Sequence, residues 1–218
     1  MYRIGLSKGE VNEEKLKELG LLYVVVEPRI QMVASAKVAV GKPYKRGASV
    51  LKDAPTCFEC SSLVAWAAVE SGYSIPRVSI DQFVFSKRIN KMDLLPGDLV
   101  FANTEEIVHT EGSYFSQVLG KLVKEEPIRY ETLEYLPGTP VPHGVDHVGI
   151  YMGDNKIIHG TSSKNAVVEE DLDTSTSFQK IVGYGRIIDN DEPRFVISIP
   201  EDRLDLRNKE ALLKEVSK

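Results

Sequence analysis

The segment from Thr56 to Trp66 constrains the fold most strongly, because it has the pattern of a loop that runs directly into a helix. After Cys60, apolar or small residues recur at the i, i+3, i+4 and i+7 spacing of one buried helix face, at Leu63, Val64, Ala67, Ala68 and Ser71. Gly72 then provides a helix stop. The pattern predicts a short buried helix with Cys60 in its first turn, pointing inward.

The position of Cys60 indicates a reactive thiol. The positive end of the helix dipole favours an anion, so we expect the pKa of Cys60 to be lowered. A buried cysteine is otherwise most often a small core residue. The functional interpretation therefore depends on whether the rest of the chain supplies a base for the thiol.

Composition and charge narrow the class of protein. With 218 residues, 42% of them hydrophobic, the chain can form one domain with a sizeable core. A net charge of -5 argues against a nucleic-acid binder. No apolar run approaches the about 18 residues of a membrane-spanning helix, and the first residues lack a signal-peptide pattern. We therefore expect a cytoplasmic protein without nucleic-acid or membrane partners, and two cysteines do not make a disulfide scaffold.

Turn residues and charge divide the chain into a main domain and flanking segments. Residues 1–27 read as a small strand–helix–strand appendage, and residues 190–218 as a charged tail with a surface helix. The main domain covers residues 28–189 and begins with a helix at Pro28. Residues 103–145, which contain several prolines and glycines, are predicted to be an insertion between two core strands.

Two of the four histidines, His147 and His159, lie on one predicted hairpin. Side chains alternate along a strand, so the turn decides whether the two histidines share a face. A two-residue turn at 154–155 would pair residue 150 with residue 159 and place them on opposite faces. A three-residue turn over 153–155, or a bulge, would place both on one face. A Cys–His–His site predicts this second geometry.

Each member of this group then has a chemical role. The Cys60 thiolate attacks an acyl carbon, and His147 takes the thiol proton and later protonates the leaving amine. His159 hydrogen-bonds the far ring nitrogen of His147 and fixes its tautomer. The backbone amide of Cys60 is a candidate donor to the oxyanion.

Five motifs in order carry a family resemblance. They are G-x-P-Y, an acidic residue before Cys-Ser, L-x-P-G-D-L-V-F, H-V-G-I-Y-x-G and I-H-G, and they occur here as Gly41–Tyr44, Glu59–Ser61, Leu94–Phe101, His147–Gly153 and Ile158–Gly160. In this order they resemble the NlpC/P60 cysteine peptidases over roughly residues 30–189. The resemblance implies a papain-like α+β core, in which the cysteine helix packs on an antiparallel sheet.

The resemblance also implies a reaction and further site residues. It implies a thiol protease that cleaves small cell-wall peptides at the bond from γ-D-glutamyl to a diamino acid, without a cofactor or metal. Tyr44 would assist the oxyanion site, and Glu59 and Ser61 would meet the free amine of the substrate. The family usually has Asp where Glu59 stands and Gly where Ser62 stands, and the longer carboxylate of Glu59 would move the point at which the amine binds. No signal peptide and no wall-binding repeat is visible in the sequence, which favours intracellular processing of released wall peptides over attack on intact wall.

Other functions for the same core stay open. A Cys–His core could serve an amidase or acyltransferase acting on another acyl substrate. A non-catalytic binding module could keep the fold. Cys57-x-x-Cys60 with His143-x-x-x-His147 also has zinc-ligand spacing, and the two cysteines could form a reversible disulfide that switches the nucleophile off.

Four further polar residues have weaker interpretations. Arg77, which follows Pro76, is a candidate to face a substrate carboxylate. Asp98 and Asp146 lie at strand ends, where either could support the site, but both are interpreted as surface carboxylates. His109 lies in the insertion and is expected to be solvated.

Overall fold

The main sheet has six antiparallel strands and carries helices on one side. The computed structural model describes residues 2–104, 113–116, 121–124 and 144–217. Its strands are β3 (Lys87–Ile89), β4 (Leu99–Ala102), β7 (His147–Gly153), β8 (Lys156–Thr161), β9 (Ala166–Asp171) and β10 (Ile181–Arg186), and the associated helices are α2 (Pro28–Ala39), α3 (Cys60–Glu70) and α4 (Ser79–Phe85). Across the sheet the strands follow the order β3-β10-β4-β7-β8-β9.

Helix α3 packs against the middle of this sheet, as its spacing predicts. The predicted inward face of α3 is fully buried at Leu63, Val64, Ala67 and Ala68. These side chains share a core cluster with Val148 and Ile150 of β7 and Ile158 of β8. Full burial of a Leu, Val or Ile side chain contributes roughly 1.5–3 kcal/mol to stability, so α3 is fixed firmly against the two strands that carry the histidines. The predicted α+β class is confirmed.

Residues from both flanking segments form one second sheet, which the sequence interpretation did not anticipate. Strand β11 (Arg194–Ile199) lies between β1 (Tyr2–Ser7) and β2 (Leu22–Val26), and both pairings are antiparallel. The helices α1 (Glu13–Glu18) and α5 (Lys209–Val216) contribute to the same small core. We call this unit the terminal sheet domain.

The terminal sheet domain contacts the C-terminal end of α3. A Cβ atom on Gly5 would lie 2.0 Å from the carbonyl oxygen of Gly72, so β1 and the end of the helix meet backbone to backbone. Arg194 of β11 donates to the same carbonyl oxygen at 2.8 Å, and Arg3 of β1 forms an ion pair with Glu70. The domain therefore fastens the end of α3 opposite to Cys60.

The β7–β8 hairpin combines a tight turn with a bulge. Asp154 and Asn155 form the turn, both with positive φ angles, of 46° and 58°. Gly153 pairs with Lys156, but the register shifts between 151 and 153, so that Ile150 pairs with Ile158. That register places His147 and His159 on the same face of the sheet. The prediction that a bulge could place both histidines on one face is confirmed.

Asp98 is a buried anchor, and the prediction that it is a surface carboxylate is wrong. Its side chain is fully buried. It accepts hydrogen bonds from Leu95 N at 2.8 Å, from Arg29 Nη1 at 3.1 Å and from Arg186 Nη2 at 2.7 Å. A buried carboxylate needs such partners, and these tie α2 and β10 to the start of β4. Asp146 is half-buried and accepts from the backbone and hydroxyl of Thr104.

The predicted insertion lies largely outside the described residues. Within it, β5 (Ser113–Ser116) and β6 (Lys121–Lys124) form an antiparallel pair. His109 and His143 lie outside the described residues. Among the residues that are described, no helix is long and apolar enough to cross a membrane.

Candidate active site

Cys60 is the first residue of α3, and its backbone lies directly against β8. Ser62 in the first turn accepts a hydrogen bond from Glu59 N at 2.9 Å, which helps to fix the start of the helix. A Cβ atom on Gly160 would lie 3.0 Å from the carbonyl carbon of Glu59 and 3.3 Å from Cys60 N. Glycine at 160 therefore lets the start of α3 reach the strand that carries His159.

The thiol of Cys60 points toward the start of β7. Its Sγ atom lies 4.0 Å from the carbonyl oxygen of Asp146, and the backbone amide of Val148 also interacts with it. These two backbone groups flank His147 in the chain. The first turn of α3 thus brings Cys60 to the segment that carries one of the predicted histidines.

Burial raises the pKa of Cys60 to about 12, and the nearby Glu59 carboxylate acts in the same direction. Hydrogen bonds from the backbone amides of Ser61 and Val148 oppose this shift without reversing it. The prediction of a lowered thiol pKa is wrong for the resting site, because loss of solvent outweighs the favourable field of the helix terminus.

The two histidines of the hairpin are joined by a hydrogen bond. His147 Nε2 lies 2.8 Å from His159 Nδ1, and the ring planes are nearly perpendicular, at 89°. Both side chains are buried. Burial lowers the pKa of His147 to about 3, with His159 contributing in the same direction, and burial also lowers the pKa of His159. Both rings are therefore neutral at pH 7.

A carboxylate that the sequence interpretation missed extends this pair. His159 Nε2 lies 3.2 Å from Glu170 Oε2. Glu170 also accepts hydrogen bonds from Lys164 Nζ and Ser175 Oγ. Partial burial would raise the pKa of Glu170, but the hydrogen bonds from Lys164, Ser175 and His159 lower it to about 2. The site therefore ends in a permanently ionised acceptor.

The register of β8 and β9 explains how Glu170 reaches the site. His159 pairs with Val168, so Glu170, two residues further along β9, lies diagonally opposite His159 on the same face. Side chains alternate between the two faces of β9 along residues 166–171, so the sequence indicates which of them share a face with Glu170. This pattern points to His159 only when the pairing of β9 with β8 is known.

Phe178 closes the buried side of the histidine pair. Its ring centroid lies 5.2 Å from that of His147 and 5.0 Å from that of His159. A Cβ atom on Gly149 would lie 2.9 Å from Phe178 Cζ and 2.7 Å from Ile157 Cδ1. Glycine at 149 leaves the space that this aromatic packing requires.

The two residues that flank Cys60 are bound within the protein. Arg77 Nη2 donates to Glu59 Oε1 at 2.6 Å, and Arg77 Nη1 donates to Ser61 Oγ at 2.8 Å. The other oxygen of Glu59 accepts from Gly47 N at 2.5 Å. The candidate role of Arg77 was to face a substrate carboxylate, whereas here the guanidinium faces the carboxylate of Glu59. A groove of about 490 Å³ begins beside Arg77 and follows the Ala65 side of α3.

The remaining predicted site residues are placed as follows. Tyr44 is half-buried beside the cysteine loop, with its backbone bridged to Phe58 and its amide bonded to Asn165 O at 3.0 Å; its oxyanion role stays a prediction. Cys57 and Cys60 are both free thiols. Within the described part of the chain, no three His, Cys, Asp or Glu side chains cluster as metal ligands would.

The fold is of the α+β kind that the resemblance implies. A cysteine begins a buried helix, and a hydrogen-bonded histidine pair lies on the antiparallel sheet against which that helix packs. The model of the NlpC/P60 family matches residues 41–134 of this chain. The predicted resemblance to the NlpC/P60 family is thereby confirmed.

Curated proteins and solved structures agree with this match. A probable endopeptidase p60 of Listeria welshimeri is 28% identical over 156 residues, which are 72% of this chain and 22% of that protein. The bifunctional muramidase/DL-endopeptidase CwlT of Bacillus subtilis is 26% identical over 147 residues, or 67% of this chain and 33% of that protein. This chain therefore matches only about a quarter to a third of the length of these two relatives.

Among solved structures, an NLP/P60-family protein of Staphylococcus aureus, described as similar to lipoprotein, has a TM-score of 0.50 and 26% identity. The similarity covers 75% of this chain and 42% of that one. NlpC2 of Trichomonas vaginalis has a TM-score of 0.51 at 20% identity, covering 74% of this chain and 46% of that one. These likenesses support the fold described above.

Proposed function

We propose that this chain is a cysteine peptidase that hydrolyses small cell-wall-derived peptides at the bond from γ-D-glutamyl to a diamino acid. The observation that carries the proposal is the 2.8 Å hydrogen bond between His147 and His159, next to the Asp146 carbonyl and the Val148 amide that interact with Cys60 Sγ. The names of the relatives, endopeptidase p60 and DL-endopeptidase, favour peptide hydrolysis. The γ-D-glutamyl specificity rests on the family resemblance.

In the proposed reaction, Cys60 Sγ attacks the carbonyl carbon of the scissile amide while its proton passes to His147. The C–N bond then breaks, and His147 gives the proton to the leaving amine, which leaves a thioester on Cys60. A water molecule attacks the thioester with His147 again taking a proton. The C–S bond breaks, the peptide acid is released, and the proton returns to Sγ.

The pKa shifts of the site favour one version of this mechanism. A thiol whose pKa is raised to about 12 and an imidazole whose pKa is lowered to about 3 are both neutral at rest. Proton transfer from Cys60 to His147 therefore accompanies the attack on the substrate, and His147 acts as a general base. A thiolate–imidazolium pair formed beforehand is disfavoured by the same burial.

The Glu59–Arg77 pair bears on the choice of substrate. The resemblance assigns Glu59 and Ser61 to a free substrate amine, but here both bind Arg77. The Glu59–Arg77 pair is neutral overall, so it attracts an ammonium group less than an unpaired carboxylate would. We infer that the enzyme accepts stem peptides whose N-terminus is acylated, and released peptides with a free amine are not specially favoured.

One observation favours a second function. A neutral, half-buried thiol at Cys60 is also what a non-catalytic binding module of this fold would contain. Such a module would bind the same peptides without turnover. An amidase or acyltransferase would instead transfer the acyl group of another substrate through the same thiol.

The test is cleavage of a defined panel of L-Ala-γ-D-Glu-diaminopimelate peptides, followed by mass spectrometry, with Cys60→Ala as the matched inactive variant. Cleavage at the γ-D-Glu bond by the parent alone supports the proposal. Binding of the peptides by both proteins without cleavage identifies a binding module. An acyl adduct on Cys60 that passes to an added amine identifies a transferase.

A further inference from the structure

We propose that Glu170 is a positioning residue that fixes the tautomers of both active-site histidines, so that His147 Nδ1 is left as the proton acceptor for Cys60. This inference rests on the proposed function for its catalytic consequence. The positions of the ring protons on His147 and His159 do not depend on that function, and they would be the same for any thiol chemistry at this site. No part of the sequence interpretation had given Glu170 a role.

The placement of the protons follows from the hydrogen bonds. An ionised carboxylate only accepts, so the nitrogen that faces Glu170, His159 Nε2, must carry a proton. A neutral imidazole has one N–H, so His159 Nδ1 is an acceptor. The ring nitrogen of His147 that faces it, Nε2, must then be the donor. The second nitrogen of His147, Nδ1, is left with a free lone pair.

This order is the one that thiol chemistry needs. Nε2 of His147 is occupied by His159, so Nδ1 is the ring nitrogen left to take the proton of Cys60. If both rings flipped to the opposite tautomers, His147 Nδ1 would carry the proton and could not act as a base. His159 would then face Glu170 with a bare nitrogen, and two acceptors would be opposed in a buried place.

The surroundings of Glu170 hold it in this role. Lys164 Nζ and Ser175 Oγ both donate hydrogen bonds to the carboxylate. These donors stabilise its ionised form. The lowered pKa of Glu170, about 2, keeps it ionised across the pH range in which the enzyme would work. His159 is fully buried, so solvent is poorly placed to replace the carboxylate as the acceptor of its N–H.

A purely structural role predicts something different. In that case Glu170 would only link Lys164 and Ser175 across the surface beside β9, and its removal would lower stability without changing the tautomers. The experiment must therefore read the protons directly, and the tautomers can be read whether or not a peptide substrate is ever cleaved.

The test is long-range ¹H–¹⁵N NMR of the ¹⁵N-histidine-labelled full chain at pH 7, with Glu170→Gln, Glu170→Ala and Lys164→Met. We expect the Nε2–H tautomer at both His147 and His159 in the parent. Glu170→Ala should give a mixture at both rings. Lys164→Met leaves Ser175 and His159 to hydrogen-bond the carboxylate of Glu170, so Glu170 stays ionised at pH 7 and the parent pattern should be kept.

Kinetics on the cleaved peptide supply the second readout. Glu170→Ala should lower kcat about 10- to 100-fold with KM unchanged, by analogy with the loss seen when the hydrogen-bond partner of a metal-bound histidine is removed. Glu170→Gln, whose amide oxygen still accepts from His159, should recover part of that loss.

An Nδ1–H tautomer at His159 in the parent would overturn the proposal, and so would unchanged tautomers in Glu170→Ala. A parent that cleaves no peptide but shows the expected tautomers would overturn the proposed function and leave the role of Glu170 standing. If Glu170→Ala does not fold, the parent spectrum remains the test, because an Nδ1–H tautomer at either ring overturns the proposal.

Discussion

Gly160 of β8 touches the backbone of Glu59 at the start of the cysteine helix, and a Cβ atom at 160 would lie 3.0 Å from the Glu59 carbonyl carbon. This contact sets how far Cys60 can approach the strand that carries His159. Few real Cβ contacts are that short, and the obstacle here is backbone, which cannot turn aside. The distance between the helix and the strand is therefore controlled by the side chain at a single position.

We expect Gly160→Val to move the start of α3 away from β8 and to lower kcat/KM at least about 100-fold, because misplacement of a nucleophile by about 1 Å has effects of that size. Gly9→Ala is the matched control, since a Cβ atom there meets nothing within 4 Å. Peptide cleavage and thermal melting would be measured on both. Full activity in a folded Gly160→Val protein would contradict this account of the contact.

The thiol of Cys60 should react slowly with iodoacetamide at pH 7. Its pKa is raised to about 12 by burial, whereas that of a free cysteine is about 8.5, so the thiolate fraction at neutral pH is very small. We expect the alkylation rate to rise steadily with pH up to the alkaline limit of stability. The rate is followed by mass spectrometry, with Cys60→Ala showing how much label reaches Cys57. A plateau beginning near pH 5 would instead indicate a preformed thiolate–imidazolium pair.

The Glu59–Arg77 pair should make the enzyme indifferent to a free substrate amine. We expect kcat/KM for N-acetylated and free L-Ala-γ-D-Glu-diaminopimelate to agree within about fivefold, or about 1 kcal/mol. Arg77→Met should release the charge of Glu59 and shift the preference toward the free amine. Arg46→Met removes an exposed cation from the neighbouring loop and should leave the ratio unchanged. A parent that cleaves only the free peptide would refute the inference.

Stability should fall on mild acidification because of the buried histidine pair. The pKa of His147 is about 3 in the folded protein and near 6.5 when unfolded. Between these values the unfolded chain binds the extra proton. This contribution is therefore complete above pH 6.5 and is lost as pH falls toward 3, with a slope of up to about 1.4 kcal/mol per pH unit. The lowered pKa of His159 acts in the same direction.

Urea unfolding between pH 7.5 and 4.5 would measure this slope. His147→Asn should reduce the slope of the unfolding free energy against pH by up to about 1.4 kcal/mol per pH unit, the contribution of one proton. This holds even if the variant is less stable at every pH. Equal slopes in the parent and the variant would mean that His147 is not held neutral by burial.

The local features of the site could be predicted from the sequence because each is fixed by a few neighbouring residues. The apolar spacing after Cys60 and the stop at Gly72 define α3, which extends from Cys60 to Glu70 in the structure. Alternation along the hairpin left two registers for His147 and His159. The requirement of a common face selected one of them, and the bulge near Gly153 provides it.

Other features depend on contacts between residues far apart in the chain, which no local pattern records. The pairing of Tyr2 with Ile199 joins segments that sequence reasoning treated separately. Glu170 reaches His159 only through the register of β8 and β9. The pKa of Cys60 was predicted in the wrong direction because a helix terminus can be read from sequence, whereas the burial that opposes it cannot.

The attachment of the terminal sheet domain gives α3 a mechanical role. Eleven helical residues span about 16 Å and form a stiff rod, with Cys60 at one end and the contact between Gly5 and Gly72 at the other. The terminal sheet domain holds the far end of this rod, while the strands β7 and β8 hold its length. The position of the sulfur atom is therefore set partly by residues from the two ends of the described chain, although none of them lies near the cysteine.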